Sequence, residues 1–269
     1  MFYNAKNRNI KIDDTDMDYV TFGRGDKPLI MIPGLGDALK TVKGAALALA
    51  WMYKAFAKDY QVYVFSRRNG LPEGFSTDDM AVDLANVMKS LRLSGAYVIG
   101  ISQGGMIAQC LAVKYPALVK KLVLTVTLCR PNATSTRVLS QWIQFAKADD
   151  FKSLLIDTAE KTYTEKRLKS YRPFYPLLCK LSRPKSLDRF MVQADACLHH
   201  DCYEEIPKIN CQTLVIGGDC DQIVGAHSAQ EIAARIKGSK LKLYHGLGHG
   251  TYEEAKDFNQ LVLAFLNES

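Results

Sequence analysis

Short apolar runs rich in β-branched and aromatic residues recur along this chain, each followed by a stretch of helical texture. The runs lie at residues 28–32, 60–65, 96–101, 122–128, 213–218 and 240–244. The first is continuously apolar, as in a strand covered on both faces. Alternation of strands and helices at this spacing predicts a mostly parallel sheet with helices on both sides. Ahead of it, residues 10–12 and 17–22 alternate in polarity around Asp13-Asp14, the pattern of an antiparallel hairpin. Helices are expected over residues 38–58, from Ser76 through Leu91, from Met106 to about Tyr115, over 227–237 and from Thr251 onward. Ser76-Thr77-Asp78-Asp79 has the form of an N-terminal cap.

The rhythm stops between Arg130 and Lys208. That stretch is helical in texture, broken by Pro131, Pro173, Pro176 and Pro184, and rich in aromatics such as Trp142, Phe151, Tyr163 and Tyr175. A helical insertion in a regular α/β chain commonly shapes a pocket. The expected organisation is one α/β core made of residues 1–129 and 209–269, with 130–208 as a lid. At 269 residues the chain is long enough for a large core, and 48% hydrophobic with 23% charged residues is ordinary globular composition.

The formal net charge of +7 is not gathered into dense Lys/Arg runs with interleaved aromatics, so a nucleic-acid partner is not expected. Many of the basic residues lie between Lys152 and Arg189; they read as a solvated helical face, with attraction to anionic partners or lipid surfaces as the other reading. The longest apolar run, residues 45–53, is about half of the ~18 residues a membrane span needs, so no stable membrane insertion is expected. The polar start shows no signal-peptide pattern. Seven scattered cysteines fit free thiols in a reducing cytoplasm rather than a disulfide framework.

The run at 96–101 ends in Gly100-Ile101-Ser102-Gln103-Gly104. A serine lifted out of a strand-to-helix turn is held in a strained backbone conformation, and its neighbours two residues away must be small. It also stands at a helix N-terminus, where free N–H groups favour developing negative charge. The other reading is a tight turn whose serine only caps the helix. A serine hydroxyl needs a base to become a nucleophile, and an imidazole works best when a carboxylate fixes its tautomer. Ser102, Asp221 and His249 supply these groups, each just past the C-terminal end of an expected strand, the edge where open parallel sheets hold their sites. Asp219 and His245 are competing choices. His199, His200 and Cys202 do not have metal-ligand spacing and read as surface or inter-element residues. Cys220, between two acids, is expected to have a raised thiol pKa.

With these pieces in place, the chain resembles the α/β-hydrolase-fold enzymes of the esterase and lipase type over essentially its whole length. The resemblance rests on Gly100-Ile101-Ser102-Gln103-Gly104, Gly218-Asp219-Cys220-Asp221 and Gly248-His249. It implies Ser102 as nucleophile, His249 as general base and Asp221 as the acid that orients it, since the family's G-x-x-D spacing runs from Gly218 to Asp221. It also implies an oxyanion hole made by the backbone N–H groups of Gln103 and Leu35. Pro33-Gly34 stands where the family often has His-Gly, Ser66 where it often has aspartate, and Gln212 where a proline is frequent. A serine at the elbow argues against the haloalkane dehalogenase branch, which uses aspartate there.

The expectation is therefore a serine hydrolase that cleaves a carboxylic ester, or a thioester or amide, through a Ser102 acyl-enzyme, without metal or organic cofactor. An aromatic-rich lid implies an apolar group in a small-molecule substrate. The same residues are compatible with a carbon–carbon bond hydrolase, a cofactor-free perhydrolase, or a slow-turnover ligand-binding protein of the same fold.

Overall fold

A computed structural model describes residues 3–268. Eight strands form one sheet: β1 (Lys6–Ile12), β2 (Thr15–Gly23), β3 (Lys27–Ile32), β4 (Tyr60–Arg68), β5 (Ala96–Ile101), β6 (Val119–Thr125), β7 (Gln212–Gly218) and β8 (Lys240–Tyr244). Their order is β1-β2-β4-β3-β5-β6-β7-β8. β1, β2 and β4 pair antiparallel, and every pair from β4–β3 through to β7–β8 is parallel. The helices are α1 (Ala46–Met52), α2 (Thr77–Ser90), α3 (Gln103–Lys114), α4 (Ala133–Lys147), α5 (Phe151–Thr162), α6 (Glu165–Tyr171), α7 (Tyr175–Ser182), α8 (Asp188–Leu198), α9 (Ser228–Arg235), α10 (Thr251–Glu254) and α11 (Phe258–Asn267).

Side chains that alternate along a central strand pack into two layers. From β3, Ile30 and Ile32 join the face covered by α2, α3 and α9, while Leu29 and Met31 join the face covered by α1 and α11. A third apolar cluster ties Trp142, Phe151, Leu154 and Phe190, all between β6 and β7, to Met106 of α3 and Ile223 beyond β7. α4, α5 and α8 therefore pack over the C-terminal edge of the sheet.

α2 starts as its sequence predicts: Ser76 Oγ accepts from the Asp79 N–H, and the Asp79 carboxylate accepts from the Ser76 N–H. Three boundaries differ from expectation. The helix expected over 38–58 is reduced to α1, because the Val42 N–H donates to Ser66 Oγ (2.9 Å) and the Gly44 N–H to Asn7 Oδ1 (2.8 Å) instead of to carbonyls one turn back. The helix expected from Thr251 breaks at Ala255, whose ψ of 113° is extended, and splits into α10 and α11. β6 lies earlier than residues 122–128, since Val126 turns to φ +44° and leaves the strand.

Candidate active site

Ser102 follows β5 and is the N-cap of α3. Its φ of 53° and ψ of −119° lie outside the helical and extended regions, a strain expected where a turn must present one side chain. The two flanking glycines are required by close approach. A Cβ on Gly100 would lie 2.5 Å from the Gly104 carbonyl oxygen, and one on Gly104 would lie 1.9 Å from that of Ile32. The serine's side chain does not cap α3. Instead, Ser102 Oγ lies 3.0 Å from His249 Nε2, and His249 Nδ1 lies 2.9 Å from Asp221 Oδ2. His249 and Asp221 are buried and Ser102 is half-buried. A neutral imidazole placed this way holds its proton on Nδ1, donates it to the carboxylate and accepts from the serine. The other Asp221 oxygen accepts from the N–H groups of Ile223 (2.8 Å) and Val224 (3.0 Å), which fixes the carboxylate.

His249 reaches Ser102 because the loop after β8 folds back. The Cys220 N–H donates to the Leu247 carbonyl (3.0 Å), and the Gly250 N–H donates to the Thr162 carbonyl at the end of α5 (2.7 Å). The competing residues meet each other elsewhere: His245 Nδ1 lies 2.8 Å from Asp219 Oδ2, with His245 exposed and Asp219 half-buried. The His245 hydrogen bond, then that of the Gly246 N–H, holds the Asp219 carboxyl below its ordinary range. In turn Asp219 raises the Cys220 thiol. His199 is exposed, while His200 is buried between elements with Nδ1 2.9 Å from Thr77 Oγ1.

Leu35 begins a 3₁₀ turn and Gln103 is the first residue of α3, so neither N–H has a partner within its own helix. The loop holding Leu35 abuts the serine: a Cβ on Gly34 would sit 3.1 Å from Ser102 Cβ and 3.7 Å from its Oγ. What holds this loop was not readable from the motifs. The Arg67 guanidinium, buried at the end of β4, donates to the Pro33 carbonyl and to Gln103 Oε1 (2.8 Å) through the same nitrogen. Asp37 accepts from the Arg67 N–H (3.1 Å) and from Arg189 Nη2 on α8 (2.9 Å), and Gln103 Nε2 donates to the Gln193 carbonyl, also on α8 (3.0 Å). Burial pulls the Arg67 guanidinium below its ordinary pKa, opposed by the charge of Asp37. Behind the serine, Thr127 Oγ1 donates to the Ser102 carbonyl (2.8 Å) from just beyond the strained Val126. A basic residue immediately after the Ser66 position, and a threonine within the apolar run at 122–128, were the available signals.

Ser102 and His249 open into a cavity of about 460 Å³. Its walls include Leu35, Met106, Trp142, Leu155, Ile223 and Val224, together with the rings of Tyr53, Tyr163, Tyr171, Tyr175 and Tyr252. Among the described residues no lysine or arginine lines it, and the one carboxylate that does, Asp37, is already bound by Arg67 and Arg189. Burial raises the phenols of Tyr53 and Tyr252, and that of Tyr175 to about 12, so they act as neutral hydrogen-bonding groups at neutral pH. Among the described residues no group of His, Cys, Asp and Glu is arranged to hold a metal ion.

The chain is 26% identical over 273 residues to RutD of Stutzerimonas stutzeri, named as a candidate carbamate hydrolase, covering 94% of this chain and 97% of that protein. It is 25% identical over 270 residues to the bifunctional esterase/perhydrolase DCH of Acinetobacter calcoaceticus, covering 94% and 97%. Among solved structures, MGS-M2, an alpha/beta hydrolase enzyme from a Medee basin deep-sea metagenome library, superposes with a TM-score of 0.88 at 20% identity, over 97% of this chain and 98% of that one. A family model described as the alpha/beta hydrolase fold matches residues 27–256, and the chain belongs to that family.

Proposed function

We propose that this protein is a serine hydrolase that cleaves a carboxylic ester through an acyl-enzyme on Ser102. The observation that carries the reading is the hydrogen-bonded chain from Ser102 Oγ through His249 to Asp221, at the wall of an apolar cavity. His249 takes the serine proton as Oγ attacks the carbonyl carbon, returns it to the leaving alkoxide, and then activates water against the acyl-enzyme. Asp221 keeps the imidazole in the tautomer that can accept and stabilises it when it becomes charged. The N–H groups of Leu35 and Gln103 bind the oxyanion, a donor of this kind contributing ~3–4 kcal/mol to transition-state stabilisation. Arg67 braces the loop in which Pro33-Gly34 stands for the family's His-Gly, since it holds the Pro33 carbonyl and the Gln103 side chain at once.

Residues 130–208 act as a lid over this site, and their aromatic lining, with no cation in the cavity wall, favours an uncharged acyl or aryl group. The esterase named among the relatives supports an ester, and thioesters and amides are the alternative acyl donors. The seven cysteines are free thiols, which fits a reducing compartment such as the cytoplasm. Labelling with a fluorophosphonate probe, followed by p-nitrophenyl ester turnover, is the test. Wild type labels and turns over, and Ser102→Ala does neither. Labelling that persists in Ser102→Ala removes Ser102 from its role, and wild type that neither labels nor turns over points to a ligand-binding protein.

A further inference from the structure

Eight large apolar side chains are exposed among the described residues, and seven stand on two elements far apart in the chain. Leu47 and Trp51 project from α1, and Phe174, Leu177 and Leu181 from α7 and the turn before it; Trp51 is 66% and Leu181 72% exposed. Both elements also line the cavity from their inner sides, through Leu49 and Tyr53 on one and Tyr175 and Leu178 on the other. The exposed apolar surface therefore frames the substrate cavity and is not scattered over the molecule. A soluble protein rarely leaves such residues clustered unless something covers them.

Charge says what covers them. Residues 38–58 and 166–187 hold 11 of the 35 Lys and Arg and none of the 28 Asp and Glu. Elsewhere 24 cations face 28 anions, a net charge of −4, so the chain's excess of positive charge is carried by these two stretches. Arg172 is neutralised by Glu160 and Glu165, and Arg183 by Asp149. All eight lysines of the two stretches are exposed, and none is in an ion pair among the described residues. Exposed aromatic and leucine side chains, in stretches whose exposed lysines are free of ion pairs and can lay their stems along an apolar layer while their heads reach phosphate, match an anionic lipid surface. No helix among the described residues is long and apolar enough to cross a membrane, so the contact is peripheral.

We propose that the face formed by α1 and by α6–α7 docks on anionic lipid bilayers, with the cavity opening toward the lipid. Docking itself is independent of the esterase reading; that the cavity then takes up lipid-soluble esters from the bilayer rests on it. Trp51 provides the readout, because the other tryptophan, Trp142, is buried. The full chain carrying Ser102→Ala is mixed with vesicles of phosphatidylcholine, with and without one third phosphatidylglycerol. Flotation and tryptophan emission are then followed at low and high salt.

The protein is expected to float with the anionic vesicles only, with a blue shift that Trp51→Phe removes. Neutralising Lys169 and Lys180 to Gln should weaken binding by about fivefold per charge. Leu177→Ser with Leu181→Ser should weaken it further, while p-nitrophenyl acetate turnover measured on the Ser102 background stays unchanged. No flotation at low salt overturns the proposal. So does flotation without a Trp51 shift and indifferent to the leucine changes, which is adsorption by charge alone. A wild-type dimer that the leucine changes convert to monomer also overturns it, because the face then covers a second copy.

Discussion

Two aspartate–histidine pairs stand side by side at the C-terminal ends of β7 and β8. Asp219 with His245 and Asp221 with His249 have nearly the same separation, 2.8 and 2.9 Å. Their surroundings differ. In the outer pair His245 is exposed and Asp219 half-buried, and among the described residues neither bonds a side chain of the site. The inner pair is buried, its carboxylate is fixed by two backbone N–H groups, and its second ring nitrogen reaches Ser102. The pairing alone is therefore not the functional signal; what separates the two is exclusion of water and a connected hydroxyl. In solvent such a contact is screened and contributes little, whereas in the interior the same contact fixes a tautomer.

The comparison breaks most sharply at the inner pair's far end. Ser102→Ala is expected to lower kcat for an ester by about 10⁶-fold, since members of such a unit act together. Asp221→Asn should cost about 10⁴-fold through loss of the correct tautomer. Asp219→Asn should leave kcat/KM within about twofold, and if the two aspartates exchange these effects in steady-state kinetics, the assignment reverses. Arg67→Lys sharpens the contrast from another side. It keeps a buried cation but replaces the fixed guanidinium nitrogen that reaches both Pro33 and Gln103 with an ammonium on a shorter, flexible stem, so a fall in kcat of roughly 10–100-fold with little change in KM is expected. A fall in thermal stability with kcat intact would reduce Arg67 to a packing role.

The smallest effect is one of pH. His245 holds the folded-state pKa of Asp219 below its unfolded value, so the carboxylate's contribution to stability is present above the ordinary carboxylate range and is lost as pH falls through the folded pKa. The Tm difference between wild type and Asp219→Asn should be small at neutral pH and close on acidification. A difference that widens toward low pH would contradict the sign.

How far the sequence reaches follows the range of the interactions involved. β5, Ser102 and α3 are legible because strand run, glycine spacing and helix are contiguous; Gly100 is demanded by Gly104 and Gly105 in the same turn, although Gly104 answers to the Ile32 carbonyl of the neighbouring β3. The Ser76 cap of α2 is legible for the same reason. The choice of Asp221 over Asp219 needed the family's spacing, because the two differ in burial and not in residue type. Residues 41–44 were misread as helix because the acceptors that straighten them, Ser66 and Asn7, lie 24 and 37 positions away. The role of Arg67 is not legible because its partners come from three separate elements, and no local pattern shows that Pro33, Gln103 and Arg189 of α8 converge on it.

The attachment of α8 to the loop after β3, through Asp37, and to the start of α3, through Gln103, has a consequence for modular redesign. Swapping residues 130–208 for the corresponding helices of another family member is the obvious route to a new substrate range. Here the exchanged piece also carries Arg189 and the Gln193 carbonyl, which hold Asp37 and Gln103. A chimera that keeps every residue of the serine–histidine–aspartate chain but drops these two anchors would inherit a new pocket over a loosened reaction centre. The transplantable unit in this protein is therefore the helices between their anchors, α4 to α7, with α8 left in place as part of the recipient.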